Sequence, residues 1–345
     1  MPHREIDQEL VDAAEAGAAA KVSALLAKGA NPMCDSSQAL QLAAHNGHLE
    51  CVKLLLPVSD AKAEQSWPLG AAAKNGHVEC MRLLLPVSDA KACNSSALLM
   101  AAQHGHAECV RMLLPGSDPK AGESGALRMA AYGGHDECVR LLLAVSDAKA
   151  NESYALRMAA GNGHAECVRL LLPASDAKAQ ESLALQWAAR NGHPECVRLL
   201  LPVSDAKAEG SYALRWAAQN GHAECVRLLL PVSDAKAEDC HALRLAARNG
   251  HAECVGMLLP VSGPLGEIDG LLEKVLESGQ VNVAALLIEE EPRLLDGVDL
   301  SKCHAGALER DQGDVASYLS SLMDQKELSS VAPNAARCRL GAARI

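Results

Sequence analysis

The sequence predicts an all-α protein of about ten to eleven stacked pairs of short helices, and three observations predict it. A Gly-His dipeptide recurs eight times, placing His48, His77, His106, His135, His164, His193, His222 and His251 at a constant spacing of 29 residues. Apolar residues at helical spacing lie on both sides of each dipeptide, as two stripes too short to persist alone. The composition is 49% hydrophobic, yet it contains no Phe and only 2% aromatic residues. Ala and Leu in bulk suit helices that approach closely along a thin, extended core.

The chain opens with an irregular copy. VDAAEAGAAAKVSALLAKGANP places Gly17 at the turn, 30 residues before Gly47, and residues 1–35 are expected to be a degenerate N-terminal capping repeat. Residues 36–264 then hold eight regular copies, of which Ser153 to Ala179 (SYALRMAAGNGHAECVRLLLPASDAKA) is among the best preserved. In its first helix Ala155, Leu156, Met158, Ala159 and Ala160 form the apolar stripe, and Ser153 is placed as an N-cap. Gly163 ends that helix, because glycine accepts the left-handed conformation after a helix without steric cost.

The second helix starts near Ala165 and carries Cys167, Val168, Leu170, Leu171 and Leu172, with Glu166 near its positive end and Arg169 further on. Pro173 stops it, and ASDAKAQE returns the chain to the next copy. Beyond the array, Gly279 follows Gly250 by 29 residues and Gly313 follows by another 34, so 265–325 is expected to form degenerate C-terminal capping repeats. Residues 326–345 show no periodicity and are expected to be a disordered tail.

The string AAxNGHxECVRLLL resembles the helical core of an ankyrin repeat, and the resemblance covers about Leu40 to Leu259. It implies an ankyrin-type helical solenoid that binds another protein on a concave face lined by first-helix ends and fingers. Two departures accompany it. The period is 29 rather than about 33, and ALR or ALQ stands where the family has T-P-L-H, as at Ala155, Leu156 and Arg157. The missing residues fall in the connection, implying a shortened β-turn finger.

Charge and cysteine usage bound the function. A net charge of −11 and a pI of 5.6 leave no basic footprint for a phosphate backbone, so nucleic acid is not expected as a partner. MPHREIDQELVDAAEAG is charged where a secretory signal needs an apolar run, and no stretch approaches a membrane span. Eight of the 13 cysteines recur at one place in the repeat, which points to reduced thiols in a cytoplasm-like compartment. Export by a specialised route leaves no mark of this kind.

His-x-Glu-Cys, as in His48, Glu50 and Cys51, is a ligand and acid/base vocabulary, but it occurs eight times, whereas a catalytic site is normally present once. Helices about 8–10 Å apart cannot bring equivalent Cys and His side chains onto one Zn at roughly 2.0–2.3 Å. The cysteines are read as small buried hydrophobes and the histidines as turn-stabilising hydrogen bonders. The Lys53, Arg82, Arg111, Arg140, Arg169, Arg198 and Arg227 series is read as a solvated face paired with Glu three residues earlier. No phosphate-binding glycine loop or nucleophile motif occurs, so neither catalysis, a cofactor nor a metal is expected.

Specificity must reside where copies differ. One column runs Trp67, Ser96, Gly125, Tyr154, Leu183, Tyr212 and His241; another runs His45, Lys74, Gln103, Tyr132, Gly161, Arg190, Gln219 and Arg248. The resemblance places both on the binding surface, and Trp67, Tyr132, Tyr154, Arg190, Tyr212 and Arg248 are the candidate protein-binding residues. Unselected surface variation is the competing reading. A third column, Leu42, Ala71, Met100, Met129, Met158, Trp187, Trp216 and Leu245, is read as core packing.

The function expected is a monomeric, cytoplasmic scaffold or adaptor for another protein. Alternatives are a translocated effector acting on a host protein, and an ankyrin-targeted enzyme with chemistry in 263–345, where Glu289, Glu290, Glu291, Cys303 and His304 lie.

Overall fold

A computed structural model describes residues 2–263 and 270–326. It divides into two compact units, Met1–Leu185 with Pro202–Ser204, and Gln186–Leu201 with Asp205–Ile345. The division falls within the helix Ala179–Arg190. The described residues are helices and turns, with no strand among them.

In the first unit helix pairs follow one another from Pro2–Glu15 with Ala19–Ala27 to Ala150–Gly161 with Ala165–Leu171. First helices pack on first helices of the next pair, and second on second. The second unit repeats the pattern in Ala208–Gln219 with Ala223–Leu229 and Ala237–Arg248 with Ala252–Ser262. It continues through Leu271–Glu277 with Val281–Glu290, and Leu300–Glu309 with a helix at 313–326. The expected tail lies almost wholly outside the described residues.

Each core layer is made by the same residue types. Ala155, Leu156, Ala159 and Ala160 of one first helix are buried together with Cys167, Val168 and Leu171 of its partner. Alanines at the contact let the backbones approach, so leucine rather than an aromatic ring fills the remaining space.

The entry to each first helix differs from the expected N-cap. Ala150–Gly161 opens with one left-handed turn, Asn151, Glu152 and Ser153, at φ 50°, 54° and 58°, and the regular repeats share this turn. Left-handed geometry costs a residue with a Cβ about 1–2 kcal/mol, so the turn stands only because its surroundings hold it. The Asp176 amide, in the connection that leads to the next copy, donates to Ser153 Oγ at 2.8 Å, and Arg157 Nη2 donates to the Asn151 carbonyl at 3.1 Å. The Lys149 amide donates to Asp147 Oδ1 at 2.9 Å, an Asx turn that sets the approach.

Ser153 therefore caps no helix. It ties the start of its first helix to the connection that follows the second, as do Ser66 to the Asp89 amide and Ser211 to the Asp234 amide. Glycine already occupies the left-handed turn at Gly122 and Gly210. Glu152→Gly is accordingly expected to raise stability by about 0.5–1 kcal/mol, relief of strain exceeding the added chain entropy. Urea unfolding reads it; an unchanged or lower midpoint counts against the strain.

Candidate protein-binding surface

The histidine ladder fixes where first helices end. His77 Nε2 lies 2.9 Å from the carbonyl of His45, His106 from that of Lys74 and His135 from that of Gln103, each in the preceding copy. A carbonyl only accepts, so Nε2 carries the proton, and each ring caps the end of the previous first helix. In the second unit His222 meets the Arg190 carbonyl and His251 that of Gln219, both at 2.9 Å. The ring stays within its repeat's turn and also bridges copies.

This bridge explains the glycines further. Gly105 has φ +77°, and a Cβ added there would stand 2.5 Å from His135 Nδ1. Glycine is required for its conformation and for the space the next histidine fills. In the second unit Gln280 lies against Gly250, and Gln312 Nε2 reaches the Glu277 carbonyl at 3.3 Å.

Burial lowers the His106 pKa from its usual 6.5, opposed by the hydrogen bond to the Lys74 carbonyl and aided by His104, His135 and His77. The folded state thus holds the proton less well than the unfolded chain. Its contribution is full above pH 6.5 and is lost as pH falls through the lowered folded value. Urea midpoints should fall on acidification, and His106→Gln should show a smaller acid loss; equal losses would contradict the assignment.

The cysteine ladder is buried, and burial pushes the thiols of Cys109, Cys138, Cys196 and Cys254 up to about 11 and that of Cys225 to about 12. Thiols so protonated are poor nucleophiles and poor metal ligands. No His, Cys, Asp and Glu cluster suited to a metal occurs among the described residues. On the second helices, Arg111 pairs with Glu108 at 2.5 Å and Arg227 with Glu224 at 2.6 Å, exposed pairs worth little individually. Burial, then Glu273, Glu277 and Asp299, raises the Cys303 pKa, and His304 Nε2 sits 3.1 Å from Ser320 Oγ. A thiol held protonated is the reverse of an activated nucleophile.

The first-helix face is different. In the first unit Trp67, 37% exposed, stacks on His45 with centroids 6.1 Å apart, and Tyr132 is 51% exposed. Tyr154, half-buried, lies between two guanidinium groups, Arg128 at 5.4 Å and Arg157 at 4.8 Å. In the second unit Arg190 lies 4.3 Å over the Trp216 ring, Tyr212 meets Trp216 edge-on at 5.6 Å, and Arg215 covers Tyr212 at 4.3 Å. Arg248 is exposed one copy further on. In these contacts rings and guanidinium planes pack on one another while the side chains stay partly exposed.

The Met and Trp column is not core: Ala71 and Met158 are buried, but Leu42, Met100, Met129, Trp187, Trp216 and Leu245 are half-buried. The neighbouring first helix covers only one flank of these long side chains. The arginines after the buried leucines also pass unnoticed in the sequence. Arg157 is 6% exposed, touches Gln180, and has its pKa lowered by burial. It props the left-handed turn that carries Tyr154, and nothing in ALR distinguishes that role from an ordinary helix interior.

Helix pairs of this geometry, joined by a Gly-His turn and stacked first helix on first and second on second, define a helical repeat array. A family model described as ankyrin repeats (3 copies) matches residues 10–91, 58–123, 127–208 and 202–264, so the chain belongs to the ankyrin-repeat family. No curated protein matches the chain. Ankyrin repeats generally bind other proteins, and the proteins that carry them are typically not enzymes. No helix among the described residues is long and apolar enough to cross a membrane.

Proposed function

We propose that the chain is a monomeric scaffold or adaptor that holds a folded partner protein on its first-helix faces. Trp67, Tyr132 and Tyr154 act in the first unit, and Arg190, Tyr212 and Arg248 in the second. The observation that carries this reading is the Arg190, Trp216, Tyr212 and Arg215 stack. Side chains that dominate interface energetics are there fixed before any partner arrives, so little rotamer entropy is lost on binding.

In the same reading the pairs within 1–35 and 265–325 are caps, and the protein works in a reducing, cytoplasm-like compartment. The free thiols of the cysteine ladder support the second point. Affinity capture with all six candidate residues changed to Ala should lose the partner that the unaltered chain recovers. Equal recovery would remove the proposed surface.

A further inference from the structure

An open cavity of about 590 Å³ lies in the second unit, between Ala237–Arg248 and Leu271–Glu277. Half-buried Leu245 forms an apolar floor backed by the buried Leu271 and Val275, and Arg248, Lys274 and His241 also line the cavity. Its acidic rim residues are already engaged: Glu238 pairs with Arg215, and Asp239 with Arg244 at 3.5 Å. Arg248 and Lys274 are both exposed and have no carboxylate partner among the described residues. The second helices of this unit differ, since Arg198 and Arg227 each face a Glu three residues earlier. In a chain of net charge −11, this groove thus combines an apolar floor with uncompensated positive charge.

We infer that this groove binds an acidic segment of the partner, seating an aliphatic side chain on Leu245, Leu271 and Val275 while flanking carboxylates meet Arg248 and Lys274. The inference rests on the protein-binding reading and adds the chemistry of what is bound. A volume of this size suits one or two side chains of a peptide rather than a flat protein face. The floor supplies burial, and the two cations select against basic or neutral sequences, whose approach leaves them unpaired.

The test uses the full chain and fluorescein-labelled hexapeptides, read by fluorescence anisotropy at low salt. Acetyl-Glu-Leu-Glu-Glu-Leu-Glu should bind, while counterparts with Lys for Glu, or Ser for Leu, should not. Lys274→Glu, which changes an exposed side chain, should weaken binding by about tenfold or more, and Arg248→Glu similarly. An unaltered melting profile for Lys274→Glu keeps the comparison free of folding defects. Equal binding of the Lys-for-Glu or Ser-for-Leu peptide, indifference to Lys274→Glu, or no binding would each overturn the inference. Concentration-dependent dimerisation abolished by Lys274→Glu would overturn it too, by naming a second copy as occupant. Partner capture that survives Lys274→Glu but is lost in the six-residue variant would sink this inference alone. Capture unaffected when the five candidates other than Arg248 are changed to Ala, with peptide binding intact, would sink only the proposed surface.

Discussion

Val168→Pro should lower stability by at least about 3 kcal/mol and loosen a repeat it does not belong to. Val168 is fully buried, and its amide donates to the His164 carbonyl at 3.0 Å. Proline removes that bond, and its ring clashes with the same carbonyl. The helix Ala165–Leu171 packs on Asp136–Leu143 of the preceding copy, whose Cys138, Val139 and Leu142 are buried. Loss of one helix therefore uncovers the other. Hydrogen exchange should accelerate in both Ala165–Leu171 and Asp136–Leu143; acceleration confined to the substituted repeat would show that neighbours are independent.

The second large effect concerns one glycine and the next copy's histidine. Gly105→Ala should cost about 2–4 kcal/mol, from a left-handed alanine, a displaced His135 ring and the loss of its bond to the Gln103 carbonyl. Removing the ring first should relieve the steric part. In a double-mutant cycle with His135→Ala, the double variant should be more stable than the sum of single losses by about 1 kcal/mol. Strict additivity would mean that the contact between Gly105 and His135 carries no energy.

Much of this was legible in the sequence because it repeats. The 29-residue period, the glycine stop, the buried cysteines and the Glu to Arg pairs each follow from spacing within one copy. The histidines were legible as hydrogen bonders, but their acceptors were not. Those carbonyls lie 32 residues back, as for His106 and Lys74, and helical periodicity does not fix how far one copy slides along the next. Ser153 misled because its position suits an N-cap, yet its partner is an amide 23 residues ahead, in the connection beyond the second helix. The left-handed turn was hidden because Asn151, Glu152 and Ser153 are ordinary residues at a helix start, and only neighbouring contacts impose their conformation.

The candidate surface was half legible. Variation between copies pointed to Trp67, Tyr132, Tyr154, Arg190, Tyr212 and Arg248, but Trp216 was taken for core because Ala and Leu neighbours give it helical spacing. Its exposure depends on how much of its ring the adjacent helix covers. That same incomplete cover creates the seat for Arg190.

A helix pair hides its apolar side only against the pairs beside it. Circular dichroism of a peptide spanning residues 150–178, one complete repeat, tests it most directly. Helices of this length are marginal in isolation, so the peptide should give a coil spectrum and no cooperative melt. A helical spectrum with a sharp thermal transition in the monomeric peptide would contradict the account.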